Sequence, residues 1–467
     1  MPDPVLGIGV SGLLASQQQM ATTAHNVSNV NTPGYSRQRA ELVTAEPDFK
    51  GYGYQGRGTQ VETISRSYSR FLTQQVQSNT AGNEAAQEYE RMAVQLDNVL
   101  ANPSTGMVPA LERFTGSLQD LSTDPTSESA RQVVLASADG LAERFNGLDV
   151  RLEELQDQVN ITVKDGAREL NALTSSLTQL NEEIASKPGG PFSKPPNDLL
   201  DKRDEIVRQI SELVDVTTLV QSDGTFNVYM TNGQALVLGT YATTINTVPG
   251  EVYPGTIRLV VEDNYGNSVD ISDTVRGGKL SGALAFQSEM LTPAEFALDA
   301  MAYNLANAYN AVQTSGYDLD GNQAARSPIF YVGSGQMGAA KRISLSMTDP
   351  RALAVATEPA PGNNKNVLAM IEIKDQKMFD GGKADVNVFY ETLVADVGGK
   401  TREAQIDRDA KQTLLRQAIE SQETLAGVNL DEEAANLLRF QQAYAATAQV
   451  ISASDQAFQE LLQAVRR

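Results

Sequence analysis

Leu430, Leu437, Tyr444, Ile451, Phe458 and Val465 place one apolar residue in every seven at the end of this chain. Ala434, Gln441, Ala448, Asp455 and Leu462 fall between them and complete an alternation of four and three, the spacing of a helix that packs along another helix. Gly427 interrupts what precedes, Asn429 is a candidate cap, and Glu432 stands where a capping-box acid reaches back. Gln441 and Asp455 are polar and two further seam positions are alanine, so the seam is weak alone but selective in register and partner. Such a helix has no core of its own and needs something to lie against.

The first thirty residues repeat the pattern. Leu6, Val10, Leu13, Gln17, Met20, Ala24 and Val27 alternate four and three, and the segment ends in Asn29-Val30-Asn31-Thr32-Pro33-Gly34-Tyr35. Pro33-Gly34 suits the centre of a type II turn, with proline fixing φ and glycine supplying the positive φ. Terminal helices are usually core elements of a globular domain. Here both seams are poor in large hydrophobes, and nothing adjacent in sequence could bury them.

The run from Ala24-His25-Asn26-Val27-Ser28-Asn29 through Tyr35-Ser36-Arg37-Gln38 resembles the N-terminal signature of the bacterial flagellar rod, hook and hook-associated proteins. Gly427-Val428-Asn429-Leu430-Asp431-Glu432-Glu433-Ala434-Ala435-Asn436-Leu437 and Phe440-Gln441-Gln442-Ala443-Tyr444 resemble its C-terminal counterpart. Tyr35-Ser36-Arg37-Gln38, and a run beginning Asn197-Asp198-Leu199-Leu200-Asp201 in the middle of the chain, narrow the resemblance to a hook–filament junction member. His25 stands where the family commonly has Asn, and Ser69-Arg70 replaces a usual acid before Phe71-Leu72. Asn31, Pro33, Gly34, Tyr35 and Arg37 form the signature turn.

Composition bounds the chemistry. At 467 residues two or more domains are expected, and 41% hydrophobic residues suffice for real cores. No run approaches the roughly 18 to 20 apolar residues of a membrane span, and the first residues do not form a cleavable signal peptide. The net charge of −21 argues against nucleic acid and anionic membrane surfaces. Without cysteine there is neither disulfide nor thiolate metal site, and a single histidine excludes a two-histidine metal site and any Ser-His-Asp triad not built on His25. No metal or other cofactor is expected.

Taken in order, residues 39–45 and 58–64 read as strands flanking Gly51-Tyr52-Gly53-Tyr54-Gln55-Gly56. This G-x-G-x-x-G is followed by strand rather than by the helix a dinucleotide site needs, so it reads as a hairpin turn. Helices are expected over 68–100 and 108–121. The longest begins near Ser127, with Leu141, Phe145, Leu148, Leu152, Leu155 and Val159 in one seam, Val163 in a stutter, and Leu170 to Ile184 resuming it. A loop over 187–196 carries four prolines, after which Asn197-Asp198 is a candidate cap. From 216 to 279, five β-rich runs separated by turn dipeptides suggest an inserted β domain. Helix is expected over 280–313, a strand near 342–346, and separate helices at 366–373, 388–397 and 403–425. Tyr317-Asp318-Leu319-Asp320-Gly321-Asn322 lacks the glycine and glutamate spacing of a calcium loop and reads as a polar turn. Asn26-Val27-Ser28 and Asn160-Ile161-Thr162 match the glycosylation pattern but fall inside helices.

The expected fold is therefore mainly α with an inserted β domain. Terminal coiled-coil-like helices pair over 1–38 and 428–467, a rod-like bundle takes 39–215 and 280–427, and a small all-β insertion occupies 216–279. Glu251, Glu262 and Asp263 could in principle offer carboxylate chemistry in that insertion, but a solvated acidic face accounts for them. The resemblance implies a structural adaptor that self-assembles at the junction between hook and filament, with another axial position (hook, rod, second junction or filament protein) as the alternative. Leu6, Val10, Leu13, Met20 and Val27, with Leu430, Leu437, Tyr444, Ile451, Phe458, Leu462 and Val465, are the expected packing residues. It further implies a ring of copies, contacts with the hook protein and the second junction protein, and export without a cleavable signal. A cytosolic export chaperone is expected on Leu437, Tyr444, Ile451 and Phe458. Helices this weak are expected to be disordered in the free monomer.

Overall fold

In the computed structural model, which describes residues 4–102, 106–187, 194–250, 253–262, 268–360 and 362–465, the chain leaves and returns through two long terminal helices. Helix α1 (Pro4–Ser28) turns at Pro33-Gly34 into β1 (Gln38–Thr44), the short hairpin β2 (Asp48–Phe49) and β3 (Tyr54–Gln55), and β4 (Thr59–Arg66), which pairs antiparallel with β1. The glycine-rich stretch is thus the hairpin turn it reads as, with Phe49 and Tyr54 in ring contact at its exposed tip. Helices α2 (Arg70–Leu100), α3 (Val108–Thr123), α4 (Glu128–Ala185) and α5 (Asn197–Leu213) follow.

The apolar seam of 141–184 becomes the spine. α4 is 58 residues long, about 87 Å at 1.5 Å per residue, and is capped by the Ser127 hydroxyl accepting from the Ala130 N–H. Leu141, Phe145, Leu152, Val159, Val163, Leu170, Leu177 and Ile184 are all buried, so the stutter does not break the core. Just beyond it Gly166 lets Leu280 approach: a Cβ there would lie 2.7 Å from the leucine Cδ2. Asn197 does not cap α5. The cap position is Pro196, and the Asn197 amide donates instead to the Ile64 carbonyl at 2.7 Å. Residues 188–193 of the proline-rich loop, Pro103, Glu251, Asp263 and the turn residues 264–267 lie outside the described residues, while Glu262 is exposed at a strand end.

The β region forms two antiparallel sheets. β5 (Val216–Val220), β6 (Phe226–Met230), β7 (Ala235–Leu238) and β8 (Tyr241–Ala242) run in sequence order, and β10 (Ile257–Glu262) is flanked by β9 (Ile245–Pro249) and β11 (Ser268–Asp270). β8 and β9 are additional to the strands read from sequence. The region does not stand apart from the helices. Phe226, Val228, Ile245 and Leu259 belong to the same buried cluster as Leu170 and Leu280. Asparagines on α4 complete the strand backbone: Asn171 donates to the Ile245 carbonyl at 2.8 Å and accepts from its N–H at 2.9 Å. Asn181 does the same for Phe226 at 2.9 and 3.1 Å. Each amide presents one donor and one acceptor, as a neighbouring strand would.

Helix α6 (Gly278–Phe286) continues through a π turn, Gln287–Leu291, into α7 (Thr292–Ser315). The cause is Pro293, which has no N–H for the carbonyl four residues back. That carbonyl, of Glu289, accepts from Lys400 Nζ at 3.0 Å instead. After β12 (Phe330–Tyr331), α8 (Ala339–Arg342), β13 (Ser344–Leu345) and α9 (Lys365–Glu372), the expected pair of helices at 388–397 and 403–425 is one, α10 (Val386–Ala426). Gly398-Gly399 does not end it because α10 lies along α2, with Gly398 facing Asp97. α11 (Leu430–Val465) closes the chain. The Asp318 loop is a polar turn whose carboxylate accepts from the N–H groups of Asp320 and Asn322. Asn26 and Asn160, of the two glycosylation patterns, are buried.

Two predictions follow from this packing. Gly282→Ala puts a Cβ 2.3 Å from the Ala85 carbonyl oxygen, so it should lower the melting temperature although alanine in a helix is normally worth about 1 kcal/mol over glycine. Gly140→Ala, with open space around it, should leave the melting temperature unchanged or raise it. The second concerns a buried acidic cluster. Asp299 accepts from Gly338 N–H, Ala340 N–H and Tyr253 Oη, whereas Asp149 and Glu295 each keep one buried oxygen with no hydrogen-bond partner. Burial, then the neighbouring Asp149 and Asp299, push Glu295 from its usual 4.5 to about 8. A carboxyl with a raised folded pKa binds its proton more tightly when folded. Its contribution is complete below the unfolded pKa and is lost as pH rises through the folded one. Denaturant midpoints should fall between about pH 4.5 and 8, and Glu295→Gln should flatten that slope.

Candidate functional site

The two ends of the chain form one antiparallel pair, in which α1 contributes small residues. Gly9 faces Ile451, where a Cβ would come within 2.8 Å of Cγ1, and Gly12 faces Thr447, where it would come within 2.9 Å of Cγ2. Gly9, Ala15, Ser16, Thr22, Thr23 and Asn26 are the buried face of α1, meeting Glu433 and Ser454 with half-buried Leu437, Phe440, Ala448 and Ile451 on α11. The seam read on α1 is not this face. Leu6, Val10 and Val27 are exposed and Leu13 and Met20 half-buried. On α11, Leu437 and Ile451 lie at the interface, whereas Leu430, Tyr444, Phe458 and Leu462 are exposed; the Val465 side chain lies outside the described part. Helices joined through glycine, alanine, serine and threonine approach more closely than leucines allow. A count of large apolar residues cannot see such a face.

A polar knot fixes the register of the pair. Glu433, 1% exposed, accepts from Arg37 Nε at 2.8 Å and from Asn26 Nδ2 at 3.1 Å. Arg37 Nη1 donates to Glu432 at 2.8 Å, so that acid serves the arginine; Asn429 caps α11, its side chain accepting from the N–H groups of Asp431 and Glu432. The Asn26 amide also donates to the Gln38 carbonyl at 2.9 Å, while its oxygen accepts from the Gln38 N–H at 2.9 Å and from Tyr35 Oη at 2.7 Å. The Arg37 N–H ends on the Ala426 carbonyl. The turn supplying these residues closes with the Tyr35 N–H on the Thr32 carbonyl and Gly34 at φ +74°, the type II geometry; Asn31 and Pro33 stand exposed on it.

A second set of bonds ties this knot to α5. Asp201 accepts from the Ser36 N–H at 2.9 Å and from Arg66 at 2.7 Å, and Arg66 also reaches Asp204 at 2.7 Å. Asp198 accepts from Gln38 at 2.8 Å and faces His25 Nε2 at 3.3 Å. Burial raises the Asp201 carboxyl against the opposing pull of the Ser36 N–H and Arg66. The Tyr35 hydroxyl is raised by burial, then by Asp198, Asp201 and Glu433. Sequence reasoning placed Arg37, Tyr35 and Gly34 at the site but not Glu433, Asp201 or Arg66. Their partners lie more than a hundred residues away, and no local spacing signals them. Among the described residues no group of three or more His, Asp or Glu is arranged to hold a metal.

Comparison with known proteins brings three family models onto this frame. One described as the flagellar hook-associated protein FlgK helical domain matches residues 93–330. One for the C-terminal part of basal body rod FlgEFG proteins matches 424–464, and one for flagella basal body rod proteins matches 6–35. The chain is similar to flagellar hook-associated protein 1 of Salmonella typhimurium, 28% identical over 97% of this chain and 98% of that one. It is also 28% identical to the Bacillus subtilis protein of the same name, over 96% of each. The solved structure of the flagellar hook junction protein FlgK from Burkholderia pseudomallei superposes with a TM-score of 0.69 at 19% identity, over 76% of this chain and all of that one.

Removing the arginine from the knot leaves a carboxylate buried without its cation, which costs about 3–5 kcal/mol. Arg37→Met should therefore release α11, read as fast amide exchange at 433–454 with α2 unchanged. Adding Glu433→Gln should restore part of the protection, because the neutral amide can stay buried.

Proposed function

This chain belongs to the family of the flagellar hook-associated protein FlgK, structural junction proteins of the bacterial flagellum without catalytic activity, and we propose that its paired terminal helices are the element by which copies assemble into a ring-like segment between hook and filament. One observation carries this reading: α1 meets α11 through small residues, and both helices leave large apolar residues exposed. Val5, Leu6, Ile8, Val10 and Leu14 on α1, with Leu430, Leu438, Tyr444, Val450, Phe458, Leu461 and Leu462 on α11, are all exposed. Large apolar side chains left exposed in such number mark interaction sites in soluble proteins, and a closed set of identical copies is the simplest way to cover them.

The terminal matches are to rod-protein families and the body match is to FlgK. That division supports a generic packing element at the ends and a body specific to the junction. The neighbours in this reading are the hook protein on one side and the second junction protein on the other. The protein works outside the cell, reached by the flagellar export route; no described helix is long and apolar enough to cross a membrane. Before export, a cytosolic chaperone holds α11 at Leu437, Tyr444, Ile451 and Phe458. Because α1 half-covers Leu437 and Ile451, that complex and the α1–α11 pair exclude each other.

An in-frame deletion in the source bacterium tests the junction role. Complete hooks without filaments, and filament subunit free in the medium, are expected by electron microscopy and assay of the medium. Missing hooks would move the protein inward to hook or rod, and normal flagella would remove it from the axis.

A further inference from the structure

α10 changes character in its middle. Up to Val397 it is a core helix: Val386, Tyr390 and Val397 belong to the main buried cluster, with Phe389, Leu393 and Val394 packed against it. Phe389 stacks on Phe379 with ring centroids 4.7 Å apart, and the Tyr390 hydroxyl donates to the Leu100 carbonyl at 2.8 Å. Beyond Gly399 no residue of the helix enters that cluster. The buried positions there are Thr401, Ala404 and Ala418, all small, while Ile406, Leu414, Ile419 and Leu425 are exposed. The boundary is Gly398-Gly399.

Nothing around these two glycines requires them. A Cβ on Gly398 would make ordinary contact with Asp97 at 3.6 Å, and one on Gly399 would meet open space. Alanine would fit at both, yet each glycine weakens the helix against alanine by roughly a factor of five in its equilibrium constant. The helix is therefore weakest at the point where its hold on the core ends. Glycine pairs are among the few sites at which a long helix bends sharply.

The half beyond the glycines grips the body loosely. Two open clefts follow one another along it. The first, of about 490 Å³, lies between Glu403, Asp407 and Lys411 on α10 and Ser281 and Ala285 on α6. The second, of about 360 Å³, lies between Leu415, Ile419 and Gln422 on α10 and Arg208 and Glu212 on α5. Lys400 on the Glu289 carbonyl and Thr401 on the Ala93 carbonyl hold the helix close to the glycines, where leverage is shortest. Lys400 also pairs with Asp396 across the glycines at 3.0 Å, an ion pair open to solvent and so of little worth. At the far end the Gln422 amide donates to Thr73 Oγ1 at 3.2 Å, and the Ala426 carbonyl accepts from the Arg37 N–H at 2.9 Å.

We propose that Gly398-Gly399 is a hinge, and that residues 400–426 form an arm that swings off α2 as an intact helix, carrying α11 with it, when the knot around Glu433 opens. The docked arm is the state described above. The swung arm keeps its own helical hydrogen bonds and gives up only the small contacts on α2, so opening is confined to one low-stability unit. Arg37 controls it because the same residue holds the Glu433 side chain and the Ala426 carbonyl. The hinge is a property of the single chain and stands apart from any assembly.

The sequence has no cysteine, so spin labels on engineered cysteine pairs report without background. Lys202→Cys on α5 with Glu420→Cys spans the arm, and Lys202→Cys with Glu391→Cys stays on the anchored side of the glycines; all three positions are exposed. By electron–electron double resonance each pair should give one narrow distance in the otherwise unchanged chain. Arg37→Met should add a second, longer distance to the 202–420 pair and leave the 202–391 pair as it was. Gly398→Ala together with Gly399→Ala, in the Arg37→Met background, should cut the population at the longer distance at least about fivefold. Amides at 403–425 should stay protected throughout. A 202–420 distance that remains single in Arg37→Met, or a second distance that the two alanines leave equally populated, would overturn the hinge. Fast exchange at 403–425 in Arg37→Met would overturn it too, by showing that this half melts rather than swings.

Discussion

The buried carboxylate of Glu433 is the constraint on which the architecture turns. Burying a charge is tolerable only when it is paired and hydrogen-bonded, and its partners, Arg37 and Asn26, come from the opposite end of the chain. Asn26 in turn holds the Gln38 backbone and the Tyr35 hydroxyl, and the adjacent Ser36 and Gln38 reach α5 through Asp201 and Asp198. The terminal pair is thereby fixed both in register and against the body. The close fit of Ile451 on Gly9 and of Thr447 on Gly12 agrees with that register, and the buried charge makes any other register costly.

Because α1 meets α11 through small residues, the pair can fold while its large apolar residues stay exposed. Had the leucines and valines of α1 been spent on α11, the pair would be more stable and its outer surface polar. Instead Gly9 and Gly12 let the backbones approach, hydrogen bonds set the alignment, and the large apolar side chains point away. Stability within the chain is given up, and apolar surface stays exposed. The body shows the opposite arrangement: along α4 most large apolar residues are inside, and asparagines on the same helix complete the backbone of β9 through Asn171 and of β6 through Asn181.

How far each feature was legible in the sequence follows from the range of the interaction behind it. The seam of α4 is local and periodic, so its start near Ser127 and its core residues could be read directly. Strands such as β6 and β10 alternate clearly, but the seating of the sheets on α4 rests on asparagines that look like ordinary helix-surface polar residues. The break expected at Gly398-Gly399 came from propensity, a term of about 1 kcal/mol per glycine, which packing along α2 outweighs. On α1, apolar periodicity found the exposed face rather than the buried one. Pattern reading marks where large side chains recur, and on α1 they recur on the exposed side.

Topology then decides how so weak a pair can form at all. Bringing Asn26 to Glu433 closes a loop of about four hundred residues, an entropic cost that grows only slowly with length. α1 and α11 do not meet that cost themselves. α5 binds the turn after α1, and α10 runs back along α2 to end at Ala426, whose carbonyl accepts from the Arg37 N–H. With the body folded, the two helices start side by side, and a few hydrogen bonds suffice to dock them. The same dependence makes the pair easy to keep apart, since a partner holding Leu437 and Ile451 has only that small docking energy to overcome. Release of such a partner would let the two helices dock again in the register that the Glu433 bonds set.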